Sequence, residues 1–170
     1  MFHISAKATA NRVLFRDDLD YSRFLRLFSS VKERADWVCG TFCLLTNHLH
    51  LLVTTPEPNL AKGMQSLLSV YAQGFNRRHG EFGHLVKGRY YSGLIERESH
   101  LLDAIRYIAL NPVRAGLVRR PEQWRWSSYS DIVGAAAASP AIDVDDALRL
   151  FGGDTKSARR RLRSFVESGL

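Results

Sequence analysis

The chain predicts an α+β fold built on one antiparallel sheet, the ferredoxin-like or split-βαβ layout. Three observations predict it. Strand-like and helix-like patterns follow one another in the order β-α-β-β-α-β-α. Two of the strands, 37–45 and 48–55, are separated only by Thr46-Asn47, which makes them a hairpin. The long helices between strands each carry one apolar stripe, as a helix covering one face of a sheet does.

Each element has a local reason. Phe2 to Thr9 alternate weakly and predict the first strand, and 11–15 predict a loop. Asp17 to Ala35 predict a helix. Asp17 and Asp18 suit its positive N-terminus, and Tyr21, Phe24, Phe28 and Val31 fall on one stripe. Trp37 to Leu45 form the next strand, and Asn47 accepts the left-handed angles of the tight turn. In 48–55 Leu, Val and Thr dominate until Pro56 stops the strand. Asn59 to His79 predict a long helix with Leu60, Met64, Leu67, Leu68, Tyr71 and Phe75 buried and Gly80 as its stop. A strand is expected over 89–95. Ser99 to Asn111 predict a helix with Ser99 as N-cap and Pro112 as the barrier that ends it. Residues 144–151 suggest a short helix and 155–168 a basic one with Ala158, Leu162, Phe165 and Val166 on one side.

A chain of 170 residues, 45% of them hydrophobic, suffices for one domain with a real core. Residues 1–133 are expected to hold it. Residues 134–170 are expected to be a small-residue linker and a basic C-terminal helical extension packed on the same domain. Cys39 and Cys43 lie four apart in one strand, which predicts a shared face and two reduced core thiols. The start Met1-Phe2-His3-Ile4 has no signal-peptide character, and no apolar run approaches the ~18 residues of a membrane span. A cytoplasmic protein without a membrane partner is expected.

Net charge is +7 and the pI about 9.8, which point to a polyanionic partner, chiefly nucleic acid. The cations fall in groups. Arg77, Arg78 and His79 end the long helix, where they either complement its dipole or meet phosphate. Lys87, Arg89, Tyr90 and Tyr91 form a basic-aromatic patch suited to charge contact and base stacking on single strands. Arg114, Arg119, Arg120 and Arg125 precede or flank Trp126.

Two constellations carry chemistry. On a strand, side chains two apart point the same way, so His48 and His50 leave one face as a pair. Such a pair either grips a divalent metal ion or consists of two half-buried histidines satisfied by neighbours. On the helix after it, Tyr107 and Asn111 are i and i+4 and share a face beside the apolar stripe of Leu101, Ile105 and Ile108. They read either as a nucleophile and a third metal ligand, or as a surface tyrosine and a C-capping asparagine.

Asn47-His48-Leu49-His50-Leu51-Leu52 and Arg106-Tyr107-Ile108-Ala109-Leu110-Asn111-Pro112-Val113-Arg114-Ala115-Gly116-Leu117 resemble the HUH-type single-tyrosine transposases, most closely the branch associated with repetitive extragenic palindromes (REP) in bacteria. Phe75-Asn76-Arg77-Arg78-His79-Gly80, Gly88-Arg89-Tyr90, Trp126-Ser127-Ser128-Tyr129 and Phe165 to Leu170 fit the same branch in the same order. The chain departs from that pattern at 6–12, where the family has a Gly- and Asn-containing turn, and at Leu45-Thr46, where it commonly has Met-Pro. The resemblance implies the HUH nuclease fold and the following roles. His48, His50 and Asn111 bind Mg²⁺ or Mn²⁺. Tyr107 attacks single-stranded or hairpin DNA to form a 5′-phosphotyrosine link; from the residues alone Tyr129, which also follows the histidines in a basic context, is its one rival. Arg77, Arg78, Lys87, Arg89, Tyr90, Arg106, Arg114, Arg119, Arg120 and Trp126 are the candidate DNA contacts. The protein would act as a monomer or a homodimer. Two other classes compete: a domesticated, non-catalytic nucleic-acid-binding module on the same fold, and a metal hydrolase of small phosphate compounds.

Overall fold

The hairpin is the spine of the sheet. In the computed structural model, which describes all 170 residues, β2 (Val38–Leu45) and β3 (His48–Thr54) pair antiparallel. Strand β1 (Phe2–Lys7) pairs antiparallel with the other edge of β3, and β4 (Tyr91–Leu94) with the outer edge of β1. The order is β2-β3-β1-β4, so the first strand of the chain lies inside the sheet.

Two faces follow from the alternation. Ile4, Ala6, Phe42, Leu44, Leu49, Leu51 and Val53 are buried on one side, where α1 (Asp18–Ala35) and α2 (Leu60–His79) pack on each other. Their stripes are the expected ones, except that Leu68 is only partly buried. Asp17 caps α1, its carboxylate accepting the N–H groups of Leu19 and Asp20. The other side of the sheet holds His3, His48 and His50 and is crossed by α3 (Glu98–Arg114).

The segment after α3 guards the free edge of β2. Leu44 N–H donates to the Trp126 carbonyl at 2.9 Å, and Ser128 N–H to the Phe42 carbonyl at 3.0 Å. Further along, Asp143 accepts the Cys39 N–H at 2.8 Å. Pairing this edge with the chain's own later segment removes a template for other strands. Short helices α4 (Tyr129–Ile132) and α5 (Val144–Leu148) lead to α6 (Thr155–Glu167), whose Ala158, Leu162 and Val166 enter the same core. No helix is long and apolar enough to cross a membrane.

Four expectations are corrected. A bulge between Cys39 and Thr41 shifts the phase of β2, so Cys39 pairs with Val53 and Cys43 with His50, on opposite faces. Both thiols are free and buried, and burial pushes the Cys43 thiol up to about 12. Strand β4 is only four residues long, so Arg89 and Tyr90 precede it. Helix α3 starts one residue before Ser99, with Arg97 at its cap position and no side-chain cap bond. It also carries Pro112 inside and runs on to Arg114. Ala115 N–H still donates to the Asn111 carbonyl at 2.9 Å and Leu117 N–H to the Pro112 carbonyl at 3.0 Å. The proline forfeits one ladder bond but, so near the C-terminus, leaves the last turn closed.

Candidate active site

The site grows from the phase of β3. His48 and His50 leave the α3-facing side of the sheet, with ring centroids 5.2 Å apart. Helix α3 sets Asn111 and Tyr107, one turn apart, against them. The Asn111 Oδ1 lies 3.4 Å from His48 Nε2, and the Tyr107 ring stands edge-on to the His50 ring at 5.2 Å. The structure therefore brings together His48, His50, Asn111 and Tyr107. Asn111 is not a terminal cap: it is inside the helix and only 6% exposed. Tyr107 is 40% exposed, whereas His50 and Asn111 beside it are buried.

One residue of this cluster gives no signal in the sequence. His3, on β1, sits beside His50 with its Nε2 3.1 Å from His50 Nδ1, and its ring is 6.0 Å from that of Tyr107. A histidine two residues from the chain start stands out only once β1 is known to pair with β3. A hollow of about 340 Å³ opens next to it, lined by Tyr91, His100, Asp103 and Tyr107 among others.

Burial holds all three imidazoles below the usual histidine range. For His50 the shift reaches about 3, through burial first and then the neighbouring His3 and His48. At neutral pH these rings are uncharged, the form that offers a lone pair to a metal. His50 Nε2 and the Asn111 amide nitrogen are buried without any hydrogen-bond partner. Two orphaned polar groups in one place are costly unless something else satisfies them. The oxygen and nitrogen of an asparagine amide exchange places by a half-turn, so either can face the gap. His48 Nδ1 meets Asn47 Oδ1 at 2.7 Å, which turns His48 Nε2 toward Asn111. This donor set fits a divalent cation. His, Cys, Asp and Glu side chains alone make no three-membered cage here, so the fit depends on the Asn111 amide.

The other candidates divide. Arg77, Lys87, Arg89, Arg119 and Arg120 are exposed. Arg114 is exposed and its guanidinium lies 5.6 Å from the centre of the Tyr107 ring. Arg89 and half-buried Tyr90 line a cavity of about 870 Å³ between α2 and 83–92, which includes none of His3, His48 and His50. Three candidates are occupied elsewhere. Arg78 holds Asp17 and Asp20, both at 2.6 Å, and ties the start of α1 to the end of α2. Arg106 lies over the Phe165 ring at 3.9 Å and donates to its carbonyl, anchoring α6. Trp126 is a core residue stacked on Tyr21 at 4.6 Å, with Arg125 over its ring, so it offers no free face to a base. Tyr129, the rival nucleophile, is 2% exposed and its hydroxyl is buried. In the loop that departs from the family pattern, Arg12 binds Asn76, Glu81 and the His84 carbonyl, which makes it a structural tie.

A Haemophilus influenzae protein assigned by name to the REP-associated tyrosine transposases is 25% identical over 122 residues, 65% of this chain and 69% of that one. A solved structure of a REP-associated tyrosine transposase bound to a REP hairpin has 17% identity, a TM-score of 0.68, and covers 91% of this chain and 86% of that one. That likeness supports the α+β fold with its four-stranded antiparallel sheet. The family described as "Transposase IS200 like" matches residues 1–111, a span that begins before His3 and closes on Asn111. With about two thirds of its length in that match, the chain belongs to the IS200-like transposases, a family of DNA-processing enzymes.

Proposed function

We propose that this transposase cuts and rejoins single-stranded DNA next to a hairpin through a covalent link to Tyr107. One observation carries the reading: an exposed tyrosine stands against half-buried His48 and buried His50 and Asn111, a partly unsatisfied cluster within the span that the transposase family matches. Hairpin DNA as substrate is supported by the related protein solved with a REP hairpin.

His48 Nε2, His50 Nε2 and the Asn111 amide oxygen would hold Mg²⁺ or Mn²⁺. When bound, the ion supplies Lewis-acid stabilisation of the charge that builds on the scissile phosphate. Tyr107 Oη attacks phosphorus and gives up its proton to solvent. The bond from phosphorus to the 3′-oxygen breaks, and that oxygen takes a proton and leaves as a 3′-hydroxyl. A 5′-phosphotyrosine remains. One phosphodiester has been exchanged for another, so a later 3′-hydroxyl can reverse the step without ATP. Arg77, Lys87, Arg89, Arg114, Arg119 and Arg120 remain exposed and suit phosphate contact, and Tyr90 and Tyr91 suit base stacking.

The test is direct. Incubate the protein with Mn²⁺ and an end-labelled oligonucleotide carrying a hairpin and a single-stranded flank, then run a denaturing gel. A slow-migrating protein–DNA adduct is expected, and it is absent in Tyr107→Phe. An undiminished adduct in that variant removes Tyr107 from its role. Tight, metal-independent binding with no cleavage identifies a non-catalytic binder instead.

A further inference from the structure

An imidazole that binds a metal through one nitrogen needs a partner for its other N–H, and that partner fixes both tautomer and tilt. For His48 the partner is the adjacent Asn47, whose Oδ1 is 2.7 Å from Nδ1. For His50 it is neither a carboxylate nor a backbone carbonyl. The one polar atom against its Nδ1 is Nε2 of His3, at 3.1 Å.

We infer that His3 is a positioning residue of the metal site: it accepts the Nδ1 proton of His50 and so leaves His50 Nε2 as a lone pair aimed at the gap shared with His48 and Asn111. A hydrogen bond between two neutral imidazoles runs one way only. If His3 were the donor, the proton of His50 would sit on Nε2, the buried nitrogen that has no acceptor. With His3 as acceptor, that nitrogen carries no proton and waits for a cation. The scaffold suits the task. His3 lies opposite Leu52 and Ser5 opposite His50, so His3 reaches His50 diagonally across two hydrogen-bonded strands. Strand β1 is flanked on both sides, by β3 and β4, which makes a residue this near the chain start a rigid support. The His3 and His50 rings are tilted by 36° with centroids 5.2 Å apart, an arrangement that lets two ring edges meet.

This inference rests on His48, His50 and Asn111 holding the ion, and the experiment separates the two. Titrate the full, DNA-free protein with Mn²⁺ by calorimetry, and follow the bound ion by electron paramagnetic resonance. Compare wild type, His48→Ala, His3→Leu and His3→Gln, with circular dichroism and melting curves on each. Wild type binds one Mn²⁺ and His48→Ala loses it. His3→Leu binds about 10–100-fold more weakly, the usual effect of removing an outer-shell partner. His3→Gln, whose amide oxygen accepts the same proton, recovers most of the affinity, which a merely structural role for His3 would not produce. Wild-type affinity in His3→Leu, or a folded His3→Gln as weak as His48→Ala, overturns the role of His3 while the ligand set stands. If wild type binds no Mn²⁺, the ligand set falls and His3 with it. Should His3→Leu fail to fold, the His3→Gln result decides alone.

Discussion

Asn111 faces His48 because Pro112 does not stop its helix. A proline one residue on reads as a boundary, and a boundary residue is expected in solvent. The structure instead continues α3 by three residues and closes Asn111 against the sheet. Burial has a consequence at His50 as well. Its folded form resists protonation down to about 3, whereas the unfolded ring takes a proton near 6.5. Between those values the unfolded chain binds more protons, so stability rises with pH and is lost on acidification. The metal-free protein is expected to lose up to about 1.4 kcal/mol per pH unit from this ring below pH 6.5. Urea denaturation in EDTA at pH 7, 6 and 5 measures it, and His50→Leu flattens the dependence. Asp20 is a carboxylate only 1% exposed that accepts from Arg16 N–H, Arg78 and His79. Removing it leaves three donors at the α1–α2 junction without their shared acceptor, which destabilises the fold. Asp20→Ala is expected to lower the denaturation midpoint accordingly without touching the Tyr107 cluster.

At the scale of elements, periodicity made most of the fold legible. The stripe of Tyr21, Phe24, Phe28 and Val31 on α1 is buried as its spacing requires, and so are Met64, Leu67, Tyr71 and Phe75 on α2. What escaped was local geometry that leaves no period. A bulge at one position turned Cys39 and Cys43 to opposite faces. The Arg89-Tyr90 start of the expected strand became a loop bordering a cavity. Trp126 and Arg106 look like nucleic-acid contacts in a basic chain, yet tertiary partners far along the sequence claim both. Two glycines on α2 make a paired prediction about packing. A Cβ at Gly63 would lie 2.3 Å from the buried ring of Trp37, whose indole N–H is already fixed by Asn59 at 2.6 Å. A Cβ at Gly74 would meet only the guanidinium of Arg23, the end of a flexible side chain. Gly63→Ala is expected to destabilise by about 1–3 kcal/mol through overpacking. Gly74→Ala is expected to be neutral or to gain up to about 1 kcal/mol of helix propensity. Parallel urea titrations of the two variants check both.

Across the whole molecule, the excess of seven positive charges is distributed unequally in purpose. Arg12, Arg78 and Arg106 hold parts of the fold together, while Arg77, Arg89, Arg119 and Arg120 face solvent. Binding to a hairpin oligonucleotide is therefore expected to weaken steeply with salt. Arg119→Ala is expected to lower the slope of log affinity against log salt by about one, the signature of a lost phosphate contact. Arg78→Ala is expected to show itself first in the melting curve. Fluorescence anisotropy at several salt concentrations distinguishes the two. Of the candidate site, four residues were legible in the sequence, because each lies in a short contiguous pattern. His3 was illegible because its meaning depends on which strand lies beside it. The crossing of α3 over β2 and β3 within one polypeptide also reaches beyond the single copy. His48, His50, Asn111 and Tyr107 come together from one chain, so under the proposed role of Tyr107 two defective versions have nothing to lend each other. A mixture of Tyr107→Phe and His48→Ala proteins is expected to remain silent on the denaturing gel, and the output of the intact protein to climb in simple proportion to the amount added.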